Sequence, residues 1–479
     1  MNYSIIRYIT GWVVFTISLF MLLPAVVSLI YKEINTATIL LMCALVFGLI
    51  GYLIKLKKPS DRRFFAREGF IVATLSWIII SLIAALPFWL SGEIPSYIDA
   101  LFEVVSGFTT TGSTILTDIE ALSKGLSFWR CFTIWIGGMG VLVFILAIMP
   151  QASGQAVYIL KAESTGPSVG KLVPKLKESA SILYLIYLSL TVVQVILLLV
   201  ADVPVFDSFC IAFSTAGTGG FAPLNTSIAS YSTAAINIIS VFMLLFGVNF
   251  NIYFLILAKR FKEAFANEEL RWYLIIYFAA TAIVGTSLFI SAREYFNLTD
   301  IFFQTSSIMT STGFSTVDFN LWPSLSQAIL VMVMFVGACA GSTGGGIKVY
   351  RFVVYAKTVK KQLSSLIHPR SVKVLKMDSK PINHETIRII NVYFATYMLV
   401  FVASLLIILI DGFDLVTSFT AVAATLNNVG PGLGEVGPMY NFSQFSALSK
   451  IVFSLDMLAG RLEIFPLLIF FSPSAWNRK

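Results

Sequence analysis

The sequence predicts an all-α polytopic membrane protein: four tandem helix–re-entrant loop–helix units around a central axis, with two extra N-terminal helices. Three observations predict it. The 479 residues are 57% hydrophobic and only 12% charged, with a mean hydropathy of +0.86, whereas a soluble domain carries about 25% charged residues. Apolar runs of about 20 residues, long enough to cross the hydrocarbon core, recur along the whole chain. Four of the connections between these runs share one pattern and end in a Gly/Thr/Ser-rich or Asn/Gly turn. The composition alone excludes an ordinary cytosolic enzyme, a disordered regulator and a secreted disulfide scaffold.

Ten spans are expected, near residues 8–31, 37–56, 68–90, 127–149, 180–201, 234–258, 272–292, 326–356, 388–410 and 443–471. The first is too long for a signal peptide and lacks a clear cleavage site. Basic residues sort sharply between the connections. Arg7, Lys55–Arg67, Lys161–Lys177, Lys259–Arg271, Lys348–Arg388, Arg478 and Lys479 together hold 27 of the 33 Lys and Arg. The positive-inside rule makes that side cytoplasmic and puts both termini there. The opposite side holds fourteen acidic residues against Lys32, Lys124, Arg130, Arg293 and Lys450. Topology alone produces such an asymmetry, and a cation-attracting vestibule would show it too. The net charge of +8 therefore follows membrane orientation and does not point to nucleic acid. Cys43, Cys131, Cys210 and Cys339 lie in apolar stretches and read as buried packing residues. His368 and His384 lie in polar connections, which leaves no basis for a His-built metal site.

The four patterned connections align as frames of 14 residues: DALFEVVSGFTTTG (99–112), DSFCIAFSTAGTGG (207–220), DIFFQTSSIMTSTG (300–313) and TSFTAVAATLNNVG (417–430). Position one is Asp99, Asp207, Asp300 or Thr417, each a good helix N-cap. Position three, Leu101, Phe209, Phe302 or Phe419, reads as a buried anchor. Position eight is small: Ser106, Ser214, Ser307 or Ala424. Position fourteen is always Gly. About ten helical residues rise about 15 Å, half a bilayer. A half-membrane helix that enters and leaves on one side is re-entrant, and its irregular backbone is tolerable only inside protein or beside water. The terminal glycines are 108, 93 and 117 residues apart. The organisation is then a helix pair (1–62) followed by units at 63–178, 179–268, 269–382 and 383–479. Four such units in one chain can enclose a central pore.

Glycine at the end of each frame lets the backbone take φ > 0 and turn its carbonyls one way. A ring of carbonyls can replace the hydration shell of K⁺. No carboxylate lies in the clusters TTTGST (109–114), GTGGFAP (217–223), TSTGFST (310–316) and NNVGPG (427–432), which argues against a Ca²⁺ site. A single such glycine is ordinary helix packing; four in register are not.

These frames, over essentially the whole chain, resemble the membrane subunit of the Trk/Ktr/HKT superfamily of potassium transporters. The extra helix pair makes the chain most similar to the bacterial TrkH/TrkG branch. The resemblance implies K⁺ as the transported and filter-bound ion, and a multi-pass protein of the bacterial cytoplasmic membrane. In that superfamily a serine in place of the first filter glycine goes with Na⁺ permeation; Gly112, Gly220, Gly313 and Gly430 are intact. It further implies that the ion-lining backbone is Thr110, Thr111 and Gly112; Thr218, Gly219 and Gly220; Ser311, Thr312 and Gly313; and Asn428, Val429 and Gly430.

The span near 326–356 is interrupted by GACAGSTGGGIK (337–348), whose five glycines in twelve residues each cost a helix about 1 kcal/mol relative to alanine. It is not a phosphate loop: Ile347 displaces the lysine, no Ser or Thr follows Lys348, and no strand precedes it. A packing kink is one reading. An intramembrane loop beneath the filter is the other, and the resemblance makes that loop a gate, with Gly341, Gly344, Gly345, Gly346 and Lys348 in it. Arg461 lies mid-span in LDMLAGRLEIF. An intramembrane charge marks a functional site with a partner. Either Arg461 pairs with Asp456 or Glu463 for packing, or it sits beside the pore below the filter as a barrier to cations.

No nucleophile–base set, Walker motif or dinucleotide fingerprint is present, so an enzyme is not expected and no organic cofactor is implied. By resemblance the chain works as a homodimer on a cytosolic, TrkA-like nucleotide-binding ring. The basic segment 348–388 is where such a regulator or anionic lipid would bind. A Na⁺- or H⁺-coupled K⁺ symporter shares this fold; a carrier for an organic solute would need a polar midplane pocket instead.

Overall fold

The computed structural model describes residues 1–59, 66–140, 176–369 and 373–476. Arg62, Arg63, the end of the fourth expected span, most of Lys161–Lys177, and the terminal Arg478 and Lys479 lie outside those residues. Among the described residues the fold is helical apart from one hairpin of two-residue strands, β1 (Lys376–Met377) paired with β2 (Lys380–Pro381).

Helices α1 (Tyr3–Phe20) and α2 (Leu22–Ile30) make the first span, and α3 (Ile34–Leu56) returns. α1 and α3 approach closely because glycines face each other across the crossing. A Cβ on Gly51 would lie 2.5 Å from the Phe15 nitrogen, and one on Gly11 2.8 Å from the Ile54 side chain. Small residues at such a crossing let backbones touch, which is how helices associate where lipid is as apolar as leucine. Gly51→Leu should force them apart at about 2 kcal/mol, within the usual overpacking range. Thermal unfolding in detergent should show a lower midpoint while cation flux persists.

Beyond this pair the chain runs through α4 (Ala66–Leu90), α5 (Tyr97–Phe108), α6 (Lys124–Gly138), α7 (Leu176–Val200), α8 (Val205–Gly217), α9 (Thr233–Phe246), α10 (Phe250–Leu257), α11 (Phe261–Ala266) and α12 (Glu268–Ser291). It continues with α13 (Leu298–Met309), α14 (Ser324–Val336), α15 (Val349–Ile367), α16 (His384–Ile408), α17 (Leu415–Leu426), α18 (Ala447–Arg461) and α19 (Phe465–Phe471). The four frames form the short helices α5, α8, α13 and α17. Each packs against the helix that followed the previous frame: α8 on α6, α13 on α9, α17 on α14, and α5 on α18. The last contact joins the end of the chain to its beginning. Large apolar side chains stand exposed along α3, α7, α12 and α16, among them Leu45, Val192, Phe278 and Leu399. Such faces suit a bilayer.

Among the described residues, six helices are long and apolar enough to cross a membrane, against ten expected spans. The shortfall has a physical cause. The expected helix at 234–258 bends by 91° between α9 and α10, at Gly247-Val248-Asn249. α6 ends at Gly138, and the rest of the expected span at 127–149 beyond Gly140 lies outside the described residues. The span at 326–356 is interrupted as predicted. The span at 443–471 breaks after Arg461, where Glu463 and Ile464 take φ 58° and 65°. In the other three, local glycine or positive-φ backbone ends a helix before its apolar run ends.

Two readings of the frames are corrected. Asp99, Asp207, Asp300 and Thr417 are not N-caps; the caps lie three residues earlier, at Ser96, Pro204, Asn297 and Asp414. The predicted caps sit in the first turn, where acidic groups favour the positive helix end, and reach to other segments. Asp300 accepts from the Thr316 hydroxyl (2.7 Å), Asp207 accepts from the Tyr231 hydroxyl (2.9 Å), Asp99 pairs with Lys450 (2.7 Å), and the Thr417 hydroxyl accepts from the Glu435 N–H (3.1 Å). Position three is an anchor in only two frames: Leu101 and Phe419 are half-buried against the core, whereas Phe209 and Phe302 are 40% and 39% exposed. Position eight is as read, since Ser106, Ser214, Ser307 and Ala424 are wholly buried.

Candidate functional site

All four short helices end in the same motif. The N–H of Thr110, Thr218, Ser311 and Asn428 returns to the carbonyl three residues back, at 3.0–3.2 Å. The next N–H, from Thr111, Gly219, Thr312 and Val429, returns to the carbonyl of the small position-eight residue at 2.8–2.9 Å. These are the paired bonds of a Schellman ending. The residue that must be left-handed is Thr, Thr, Ser or Asn (φ 58°, 55°, 59° and 55°) rather than the usual glycine. Two residues on, Gly112, Gly220, Gly313 and Gly430 are again at positive φ, of 82°, 70°, 82° and 101°. In every triplet, then, the first and third residues are left-handed and the middle one is not. Such an alternation, found four times, lets successive carbonyls turn toward one side. Strained backbone of this kind persists where the surroundings over-determine it.

The four triplets are brought together in chain order. A Cβ on Gly112 would overlap the Gly219 carbonyl oxygen, one on Gly220 the Thr312 oxygen, and one on Gly313 the Val429 oxygen; one on Gly430 would meet the Thr111 oxygen at 2.8 Å. The contacts run from first to second, third, fourth and back to first. Every predicted filter residue lies in this circle. Side chains bind it from behind: Thr109 and Thr111 share a hydroxyl bond of 2.8 Å, as do Thr310 and Thr312. The Asn428 amide donates to the Thr111 hydroxyl (2.9 Å), and the Ser113 hydroxyl donates to the Gly430 carbonyl (3.1 Å), tying the fourth triplet to the first.

Residues 337–348 lie directly against this circle. The Gly346 N–H donates to the Asn427 carbonyl (2.9 Å) and the Gly345 N–H to the Ser311 hydroxyl. Gly344 is so close that a Cβ would sit 2.8 Å from the Thr310 carbonyl oxygen. The other side of the loop meets the bend between α9 and α10: Cys339 donates to the Gly247 carbonyl (3.1 Å), and Phe250 donates to that of Gly341 (3.0 Å). The Lys348 ammonium folds back onto the Gly344 carbonyl. The Glu269 carboxylate accepts from Ala340 (2.6 Å) and Tyr350 (3.2 Å), on the two flanks of the loop.

Arg461 pairs with neither acid offered to it by sequence proximity. Glu463 pairs with Arg351, and Asp456 accepts from Ser404. The Arg461 guanidinium instead donates to the carbonyls of Gly137 and Gly138 (2.5 Å each), where α6 ends, and to that of Thr343 in the loop (2.8 Å). A longer contact of 3.4 Å reaches the Thr110 hydroxyl. One side chain thus links the first triplet, the end of α6 and the glycine-rich loop.

Sequence reasoning missed Glu269, Asn249 at the α9–α10 bend, and a buried pair, Glu103 with Arg130. Arg130 was counted among outward-side charges, yet both side chains are buried. The available signal was an acid in the middle of the first frame and a lone base inside the following apolar run. Nothing local said that they meet.

A family model described as "TrkH: Cation transport protein" matches residues 36–479. The chain is 35% identical to the Trk system potassium uptake protein TrkH of Salmonella typhimurium and 33% identical to TrkG of Escherichia coli, with both chains of each pair covered in full. The crystal structure of the potassium transporter TrkH from Vibrio parahaemolyticus superposes with a TM-score of 0.90 at 33% identity, again over the whole of both chains. A helical membrane fold, the circle of four glycine-ended turns and these full-length matches agree: the chain belongs to the TrkH family of cation transport proteins, and is a transporter rather than an enzyme.

Proposed function

We propose that the protein carries K⁺ across the bacterial cytoplasmic membrane through the circle of backbone carbonyls at 110–112, 218–220, 311–313 and 428–430. The observation that carries this reading is the fourfold left-handed alternation closing on itself in chain order. Neutral carbonyl oxygens on a common side suit a large monovalent cation that sheds water easily. The names of the relatives, Trk system potassium uptake proteins, point to the same ion. Inward movement draws on the membrane potential, about 2.3 kcal/mol per charge per 100 mV.

Residues 337–348 act as the gate in this reading. What supports it is their seat against Ser311 and Asn427, directly beneath two of the four triplets. A Cβ on Gly345 would overlap the Asn427 carbonyl oxygen, so Gly345→Ala should unseat the loop. The expected result is a several-fold rise in basal Rb⁺ efflux from proteoliposomes. An efflux at or below that of the wild type would remove the loop from the gating role. A second copy of the chain and a cytosolic nucleotide-binding ring, approached through the basic segment 348–388, complete the proposal.

Its test is growth of a K⁺-uptake-deficient bacterium at low K⁺, together with Rb⁺ against Na⁺ flux into liposomes. Rescue with Rb⁺ preferred supports the assignment. A folded protein that passes neither K⁺ nor Rb⁺, with or without the cytosolic ring, would end it.

A further inference from the structure

Behind the first two triplets lies an ion pair that none of the steps above uses. Glu103, in the middle of α5, is held by four contacts. Its Oε1 accepts from Arg130 Nε at 2.5 Å and from the Thr114 hydroxyl at 2.9 Å. Its Oε2 accepts from the same hydroxyl at 3.0 Å and from the Ile115 N–H at 3.0 Å. Thr114 and Ile115 are the residues by which the chain leaves the first triplet. Arg130, on α6, continues to the second triplet. Its Nη1 donates to the Ala222 carbonyl at 3.2 Å, and its guanidinium lies 3.5 Å from the centre of the Phe221 ring. Phe221 and Ala222 are the residues by which the chain leaves Gly220. One buried pair, with side-chain exposures of 2% and 0%, therefore fastens the outer ends of two adjacent triplets to each other.

The other frames make this informative. The position equivalent to Glu103 is Ile211, Gln304 or Ala421. Gln304 repeats the reach in neutral form, its amide donating to the Val317 carbonyl at 3.1 Å beyond the third triplet. Ile211 has no polar group to offer, and the second triplet is held by Arg130 of α6 instead. The fourth is held by Thr420, whose hydroxyl accepts from the Leu433 N–H at 2.9 Å. Among the described residues, the outer ends of the first and second triplets alone are held by opposite charges. A buried pair adds little net stability over an apolar replacement, but loss of one partner strands the other. Such pairs are better explained by the geometry they impose than by the stability they add.

We infer that Glu103 and Arg130 are positioning residues for ion selection: they set the spacing between the outer ends of the first and second triplets and so contribute to the preference for K⁺ over Na⁺. This rests on the proposed carbonyl filter. Neither side chain touches the ion. A guanidinium fork that bonds a carboxylate and a carbonyl at once is geometrically specific, and lysine cannot reproduce it.

The test compares wild type, Glu103→Gln, Arg130→Lys and Thr114→Val in proteoliposomes, reading the ratio of Rb⁺ to Na⁺ flux. The expected result is a fall of about tenfold in that ratio for Glu103→Gln and a smaller fall for Arg130→Lys, with Rb⁺ flux itself retained. A purely structural role would lower protein yield or total flux and leave the ratio alone. If Glu103→Gln yields no folded protein, Thr114→Val severs one of its links without stranding a charge and should still lower the ratio. Folded variants with a wild-type ratio would overturn the inference. A wild type without Rb⁺ preference would instead sink the carbonyl-filter reading beneath it.

Discussion

Replacing Gly112 with serine should collapse the preference for K⁺ over Na⁺ and cut K⁺ uptake at least about tenfold. Two independent costs act at this position. The backbone sits at φ 82°, where an L-residue is disfavoured by about 1–2 kcal/mol. The new Cβ would also overlap the carbonyl oxygen of Gly219 and lie 3.0 Å from its carbon. Those atoms belong to the neighbouring triplet, so the strain cannot be absorbed locally. The first triplet must shift outward or the second must rotate a carbonyl away. Either change enlarges the coordination shell and favours a partly hydrated ion. Because each triplet meets the next in the same way, Gly220→Ser and Gly313→Ser should behave alike. Gly430→Ser should be milder, its nearest oxygen being 2.8 Å away. Growth of an uptake-deficient strain across a K⁺ series, paired with Rb⁺/Na⁺ flux ratios, checks the order. Unchanged growth and an unchanged ratio in Gly112→Ser would remove these turns from the ion path.

Arg461→Ala should raise basal cation flux by roughly an order of magnitude. By Coulomb's law at an effective dielectric of about 20, any positive unit charge roughly 8 Å from a cation raises its energy by about 2 kcal/mol, or roughly 30-fold in rate, and Arg461 reaches the Thr110 hydroxyl of the first triplet. The substitution also releases the Gly137, Gly138 and Thr343 carbonyls, loosening the loop from the end of α6. Arg461→Lys separates the two effects. It keeps the charge but cannot reach carbonyls on α6 and the loop with one planar fork. If charge sets the barrier, the lysine variant leaks little; if bonding sets it, both variants leak alike. A folded alanine variant with wild-type Rb⁺ efflux would make Arg461 a packing residue.

Much of this protein is readable without coordinates, and the exceptions follow a rule. The spans, the four frames, their small eighth positions and their terminal glycines are local properties. A stretch of 20 apolar residues has one low-energy environment, and a glycine at a fixed offset marks a turn whatever surrounds it. The frame's first position is a near miss of the same kind. Asp99, Asp207 and Asp300 are suited to a helix start, but an acid at the third helical position serves as well, and Ser96 and Asn297 supply the cap side chains ahead of Asp99 and Asp300. Phe209 and Phe302 fail as anchors because an apolar side chain suits lipid as readily as a core, and sequence alone does not separate the two.

Partner choice is the part that sequence does not carry. Asp456 and Glu463 are near Arg461 along the chain, yet the guanidinium reaches carbonyls more than a hundred residues away. Backbone carbonyls exist at every position, so no residue type advertises them as acceptors. Glu103 and Arg130, 27 residues apart, look like two outward-side charges until α5 and α6 pack together. Hydrophobic length and glycine spacing determined that this chain is a helical membrane protein with four short helices that end in glycine-bearing turns. Only the packing of α5 against α18 decided that the four turns close into one circle, because that contact joins residues some 350 positions apart. Contact at that range is a property of the assembled bundle rather than of any segment within it.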